Sequence, residues 1–178
     1  DWSSDVCSSD LVATFTSLTL TGKAGDYTLD ADARNTANTA DLTTATTSTF
    51  TLAPAAATTL VVTTQPGNGT NGAALSTQPV VEARDDQGNV DTNFTGTVTL
   101  TVNGHPVAGS ATLAGDSVAA VAGVATFTSL TLTGKAGNYT LDADARNTAN
   151  TADLTTATTS TFTLAPDRKS TRLNSSHI

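Results

Sequence analysis

The sequence is poor in cysteine, methionine, aromatic residues and positive charge. Its 178 residues include one Cys, no Met, one Trp and two His, and only 4% are aromatic. A single cysteine excludes a disulfide framework and a cysteine-rich zinc site. Lys and Arg number 8 against 16 Asp and Glu, which gives a net charge of −8. Because a nucleic-acid-binding surface has to be basic to meet phosphates, this balance argues against nucleic acid as a partner.

Catalytic chemistry also has few parts available. Between residues 12 and 166 there is no cysteine and one histidine, His105, in the turn-like stretch NGHP. A Ser–His–Asp triad or a zinc site needs more of these residues than this region contains. We therefore expect His105 to be a turn residue, and we expect neither an enzyme nor a bound cofactor.

The rare residues are concentrated at the two ends of the chain. The segment DWSSDVCSSDL, residues 1–11, holds Trp2 and Cys7, and DRKSTRLNSSHI, residues 167–178, holds His177. One legal choice of codons for the first segment has a reverse complement that translates to residues 167–176. Both ends resemble translated sequencing-adapter DNA, which implies a metagenomic fragment internal to a longer protein. Such segments are excluded from reasoning about the fold, and the rest of the chain then carries a net charge of −7.

An internal repeat is the strongest signal in the sequence. Residues 12–54 return as residues 124–166, an offset of 112, with 42 of 43 positions identical. The one difference is Asp26 against Asn138. A period of this length corresponds to about one domain, so the repeat predicts tandem domains.

Apolar residues alternate with polar ones at a period of two, which predicts strands rather than helices. Turn-forming stretches such as QPGNGTNG and DDQGN separate the apolar runs, so we expect about seven short strands in roughly 110 residues and an all-β sandwich. In GVATFTSLTL the phase slips, which predicts a bulge or corner at Thr128 and Ser129. The residues predicted to face inward are Leu60, Val62, Val80, Phe94, Val98, Leu100, Val102, Tyr139, Leu141, Ala143, Ala145, Phe162 and Leu164.

Several of these motifs together resemble a known family. They are Gln65-Pro66 after the first strand, Pro79-Val80-Val81 with Asp86-x-Gly88-Asn89, and Gly123-Val124-Ala125-Thr126-Phe127 followed by Ala136-Gly137-x-Tyr139. They are similar to the bacterial immunoglobulin-like tandem repeats of surface and invasin-like adhesin proteins. This resemblance implies an immunoglobulin-like β-sandwich, an extracellular or cell-surface location in bacteria, and a stalk or adhesive role. It brings no catalytic residues with it.

The resemblance covers one complete unit and part of another. We expect residues 12–54 to be the truncated C-terminal half of a unit, 55–57 a linker, and 58–166 a complete unit. Two nearly identical C-terminal halves then compete for one N-terminal half. The five residues APAAA, which are this linker and the two residues before it, reach at most ~18 Å. This is about the length of one strand. We therefore predict that residues 124–166 complete the sandwich and that residues 12–54 form a partial sheet with exposed edges beside it.

One cluster of oxygen-bearing side chains lies in the turn DDQGNVD. Asp85, Asp86, Asn89 and Asp91 are hard oxygen donors close in sequence and are the candidate ligands for Ca²⁺. Their spacing lacks the EF-hand pattern. The plainer interpretation is a solvated hairpin with Asx-type hydrogen bonds.

Two classes of function remain open from the sequence. In the first, the units form a structural spacer or adhesin stalk and contact neighbouring immunoglobulin-like repeats, with no membrane span in this part of the chain. In the second, a unit binds a glycan or a host or matrix protein through its loops; a related alternative is an accessory module of a secreted carbohydrate-active enzyme. Near-identity of the two copies, loops included, favours the spacer.

Overall fold

The computed structural model describes residues 13–34, 41–106, 111–147 and 152–167. Of the adapter-like segments 1–11 and 167–178, all residues except Asp167 lie outside the described residues. Every regular element in the described part is a β-strand. The prediction of an all-β chain is therefore confirmed.

The first copy of the repeat contains four short strands that pair only with one another. β1 runs over Gly25–Tyr27, β2 over Asp30–Ala31, β3 over Ala45–Thr46 and β4 over Phe50–Leu52. β1 pairs with β4, and β2 pairs with β3, both antiparallel. These pairs form two separate two-stranded sheets.

The residues after the linker form a larger set of strands. They are β5 (Thr59–Thr64), β6 (Gly69–Thr70), β7 (Val80–Arg84), β8 (Thr97–Gly104), β9 (Thr112–Ala114), β10 (Ser117–Ala119), β11 (Val124–Thr126), β12 (Thr131–Thr133), β13 (Gly137–Ala145), β14 (Ala157–Thr158) and β15 (Phe162–Ala165). One sheet has the order β11-β7-β5. The other has the order β10-β8-β13-β15-β6, with β14 also on β13, and β9 pairs with β12.

The core lies between these two sheets. Leu60, Val81 and Ala125 face into it from the three-stranded sheet, and Leu100 and Leu141 face it from the other. The cluster of buried apolar residues extends from Ala57 to Leu164 and includes none of the described residues of the first copy. This arrangement is consistent with a β-sandwich built by residues after the linker.

The second copy supplies the strand that pairs with β8. β13 and β8 run antiparallel, with Leu141 opposite Val102 and Ala145 opposite Val98. No described strand of the first copy pairs with β5 or β8. The pairing is thus the one predicted from the length of the linker.

The described residues after the linker form eleven strands rather than about seven, and two of the additional strands arise because two segments change sheets. β5 belongs to the three-stranded sheet, whereas β6 lies on β15 in the other. β11 pairs with β7, but β12 pairs with β9, and the chain bends at Thr128 and Ser129 between them. The predicted corner at these two residues is confirmed.

One inward-facing residue was predicted in the wrong phase. Val81 and Ala83 are buried, whereas Val80 is only partly buried. If Val80 faced the core, Glu82 and Arg84 would face it too, because side chains alternate along a strand. These two charged side chains instead form an ion pair of 2.6 Å on the outer face. Burying the Glu82 and Arg84 side chains in the core would cost more free energy than burying Val80 would gain.

The other positions predicted to face inward agree with the structure. Leu60, Phe94, Val98, Leu100, Tyr139, Leu141, Ala143, Ala145, Phe162 and Leu164 are buried, and Val62 and Val102 pack against this core while partly exposed. The period of two therefore identified half of the 20 buried apolar residues of the core.

Candidate functional site

The loop Asp85–Asp91, which follows β7, takes part in many side-chain hydrogen bonds, and we call it the acidic loop. Its backbone turns back on itself, because the Asp85 N–H donates to the Asn89 carbonyl and the Gly88 N–H donates to the Asp85 carbonyl, both at 2.9 Å. Gly88 has a φ of +77°, in the left-handed region that glycine adopts readily. The loop therefore returns the chain to the end of β7 within five residues.

The Asp85 carboxylate is held by four N–H donors. Its Oδ1 accepts from the backbone N–H groups of Gln87 at 2.9 Å and Asn89 at 2.8 Å. Its Oδ2 accepts from the Asn89 side-chain amide and from the Ala55 N–H, both at 3.0 Å. Both carboxylate oxygens are thus satisfied by donors inside the loop and in the linker.

These contacts shift the acidity of Asp85. The hydrogen bond from the Asn89 side chain has the largest effect and lowers the pKa of the carboxyl. Burial raises this pKa, and the backbone N–H groups of Asn89, Ala55 and Gln87 lower it further. The result is a pKa of about 2 against an ordinary value of 3.8, because hydrogen bonds to the charged form favour it.

Two further acids of the loop hold the linker. The buried Asp91 carboxylate accepts from the Ala57 N–H at 2.9 Å, and Asp86 accepts from the Thr58 hydroxyl at 2.6 Å. Together with the bond from Ala55 to Asp85, these contacts fix three of the four residues from Ala55 to Thr58. Two residues of the linker and the residue that follows it are therefore hydrogen-bonded to the acidic loop.

Asn89 connects the loop to the first copy. Its Oδ1 accepts from the Ala24 N–H at 2.9 Å, and its Nδ2 donates to the Gly22 carbonyl at 3.0 Å. The same Nδ2 donates to Asp85, so one side chain joins the carboxylate that holds the linker to a turn of the first copy. The two parts of the chain thus meet through a linker and one bridging amide.

The sequence indicated a cation site or a solvated hairpin, and the burial of the loop bears on the second of these. Asp85 and Asp91 are each 4% exposed, so the expectation of a solvated hairpin was wrong for these two residues. Their oxygens accept hydrogen bonds from N–H groups. Among the described residues no group of three His, Cys, Asp or Glu side chains is placed to hold a metal ion. The Asx-type hydrogen bonds of the hairpin are present at Asp85 and Asp91.

The role of the loop was missed although the sequence carried a signal for it. Asp85 continues the phase of Val81 and Ala83, so it falls on the buried face of β7. A buried carboxylate requires hydrogen-bond donors, because removal from water is otherwise costly. The donors from the linker lie about 30 residues away, at Ala55 and Ala57, and no local pattern identifies them.

Two other polar regions of the complete unit are less organised. His105 is exposed directly after the end of β8. An open depression of about 550 Å³ is lined by residues that include Thr99, Asp144, Arg146 and Asp153. Arg146 and Asp153 form an exposed ion pair of 3.1 Å there. Pairs of this kind contribute little to binding or stability.

Comparison with known proteins adds no family to this description. The chain matches no protein-family model and none of the curated proteins with which it was compared. Across the described residues, no helix has the length and apolar character that crossing a membrane requires.

Proposed function

We propose that the chain is part of a structural spacer, in which immunoglobulin-like units follow one another in a bacterial cell-surface or secreted protein. The observation that carries this proposal is the junction between the first copy and the residues after the linker, which consists of the linker, the acidic loop and the bridge through Asn89. A linker held by Asp85, Asp86 and Asp91, and a bridge from Asn89 to the preceding copy, restrict how two units move against each other. A stalk needs such junctions, because flexible linkers would let the units fold back.

Details of the sandwich support the immunoglobulin-like part of the proposal. The Tyr139 hydroxyl donates to the Lys135 carbonyl at 2.7 Å, near the start of β13. A tyrosine whose hydroxyl bonds to backbone a few residues upstream is a recurring feature of immunoglobulin-like sandwiches. The neighbouring order β8-β13-β15 opposite β5-β7-β11 also resembles the two sheets of that fold.

A binding module for glycans or proteins has less support. Glycan and protein sites rely on exposed aromatic side chains, and the four aromatic residues between 58 and 166 are at most 3% exposed. These residues are Phe94, Phe127, Tyr139 and Phe162. The open depression beside Arg146 is lined without any of them.

Rigidity of the junction tests the spacer. Spin labels on Cys introduced at the exposed positions Thr28 and Thr97, in a Cys7→Ser background, report the distance between the two parts of the chain by double electron–electron resonance. We expect one narrow distance distribution. Asn89→Ala should broaden it, because the bridge to Gly22 and Ala24 is lost.

The control is Thr92→Ala, an exposed change at the same end of the unit. It should leave the distribution narrow. A distribution that is already broad without any change in the acidic loop would contradict the spacer, whatever the effect of Asn89→Ala.

A further inference from the structure

The first copy exposes a set of apolar side chains that its twin buries. Phe15, Leu18 and Leu42 are 73%, 66% and 54% exposed, and Leu20 and Phe50 are exposed as well. We call these five residues the open face. Their counterparts 112 positions later are Phe127, Leu130, Leu132, Leu154 and Phe162, all at most 3% exposed. The same sequence therefore has an apolar surface in one place and a core in the other.

Around Phe50, the open face already has the local structure of the buried copy. Tyr27 pairs with Phe50 across β1 and β4 as Tyr139 pairs with Phe162 across β13 and β15. In both copies the ring centroids lie 6.3 Å apart with an interplanar angle of 31°. The strands and rings at Tyr27 and Phe50 therefore hold the arrangement found in the core, whereas residues 13–21 form no strand and would have to pair as β11 and β12 do when the face is covered.

In the second copy, residues 58–123 cover these side chains. Leu60, Val81, Phe94, Val98 and Leu100 come from that segment and belong to the same core cluster as the five buried counterparts. The segment also provides backbone partners, since β8 pairs with β13 and the Leu60 N–H donates to the Thr155 carbonyl. In the first copy, the edge of β2 equivalent to this part of β13 has no strand from residues 58–123 on it.

We propose that the open face is a binding site for a polypeptide segment with the sequence of residues 58–123, supplied by another repeat. The open face and this segment are complementary, because the second copy has the same 43 residues as the first, with one difference, and packs against that segment in the same chain. The segment recognised is the N-terminal half of a unit, and the site recognises it by its apolar face and by strand pairing.

The number of segments and halves in each chain favours a separate segment over a second copy of the chain as the occupant of the open face. Each chain has one segment 58–123 and two halves that fit it, and the second copy already holds the segment. Exchange between two chains would leave as many open faces as before, so it gains no buried area. A segment that arrives without a C-terminal half of its own does gain that area.

Co-expression of the full chain with a tagged segment 58–123 tests the site. We expect a complex with one segment per chain. Leu18→Asp should lower recovery of the segment by about a hundredfold or more, because the charge would be buried without a partner. Ser17→Asp is the matched control and should retain the complex, since its counterpart Ser129 stays exposed in the covered unit.

Hydrogen exchange identifies which copy is covered. Asp26 and Asn138 give the otherwise similar peptides different masses, so protection can be assigned to either copy. We expect the peptide with Asp26 to gain protection while that with Asn138 keeps its own.

Three results would overturn the proposal. The first is failure to recover the segment, and the second is equal loss in Leu18→Asp and Ser17→Asp. The third is a chain that dimerises through the open face and does not exchange its partner for the segment, which would make a second copy the occupant.

Discussion

Asp85 shows how one carboxylate links the fold to the junction. It lies on the buried face at the end of β7, and the linker N–H of Ala55 is among its donors. Its lowered pKa means that folding favours the ionised form. The corresponding stability is complete above the unfolded pKa near 3.8 and is lost as the pH falls toward about 2.

We expect Asp85→Ala to lower the free energy of unfolding at neutral pH. The difference from the unmodified chain should shrink between pH 4 and pH 2, because protonation of Asp85 removes the same contribution in the unmodified chain. Urea denaturation across this range measures the difference. Thr92→Ala is the non-titrating control, and a difference for Asp85→Ala that stays constant with pH would show that ionisation of Asp85 is not involved.

Ala122 has a backbone conformation that is unfavourable for alanine. It has a φ of +49° and is followed by Gly123 at +82°, in a two-residue turn closed by mutual hydrogen bonds of Val121 and Val124. Two successive residues with positive φ are typical of a turn that prefers Asn-Gly. The left-handed conformation costs alanine about 1 kcal/mol.

Ala122→Asn should therefore raise the free energy of unfolding by about 1 kcal/mol. Equilibrium denaturation in urea is the measurement. Gly123→Ala should act in the opposite direction, since a Cβ there would lie 2.5 Å from the Asp91 carbonyl oxygen. If Asn at position 122 destabilises the unit, the turn does not have the conformation described.

At the scale of elements, the duplication provides a comparison in which sequence is constant and environment varies. Leu18 and Leu130 share the same neighbours in sequence, yet Leu18 is exposed and Leu130 is completely buried. The strand pairs around them have the same register in both copies, Gly25 with Leu52 and Gly137 with Leu164. Any difference between substitutions at the two positions therefore measures burial.

Leu130→Ala should cost about 2–5 kcal/mol, as expected for a leucine removed from a packed core. Leu18→Ala should change stability by no more than about 0.5 kcal/mol, because it removes a side chain from an exposed surface. Both are measured by urea denaturation followed by circular dichroism. Equal costs at the two positions would contradict the difference in burial between the copies.

The same comparison explains what sequence patterns could predict. Alternation located the buried residues of β8, β13 and β15, because a strand with one face in the core repeats every two residues. It placed β7 in the wrong phase, since two adjacent valines, Val80 and Val81, fit either phase. The charges at Glu82 and Arg84 decide the phase, because both side chains must lie on the outer face.

The candidate site was less predictable than the fold. The sequence drew attention to the acidic loop, but it could not give the partners of that loop. Ala55, Ala57 and Ala24 contribute only backbone N–H groups. Because almost every residue type has a backbone N–H group, the identity of a residue does not show that it is such a donor. Contacts of this kind depend on tertiary structure.

At the scale of the whole molecule, the residues that form the junction in the first copy are also present at the end of the second copy. Gly22 and Ala24, which bond to Asn89, correspond to Gly134 and Ala136 in the second copy. The end of the complete unit therefore carries the same turn that the first copy presents to the acidic loop. Under the proposed spacer function, another unit joined after Pro166 should meet this turn through its own Asn89.

A chain in which residues 55–166 follow Pro166 a second time tests this repetition. We expect the maximum dimension from small-angle X-ray scattering to increase by one unit length with each added copy. The scattering should fit a single orientation between successive units. Growth with the square root of the number of units would instead indicate flexible joints.

The parallel contact between β6 and β15 has a mechanical consequence. β6 lies near the start of the complete unit and β15 at its end, with Gly69 beside Leu164 and Thr70 beside Ala165. The Asn71 N–H also donates to the Ala165 carbonyl at 2.9 Å. A pull on the two ends of the unit slides these strands past each other, so their hydrogen bonds are loaded together rather than opened one at a time. Tension along a row of such units would be resisted at this patch before the core separates.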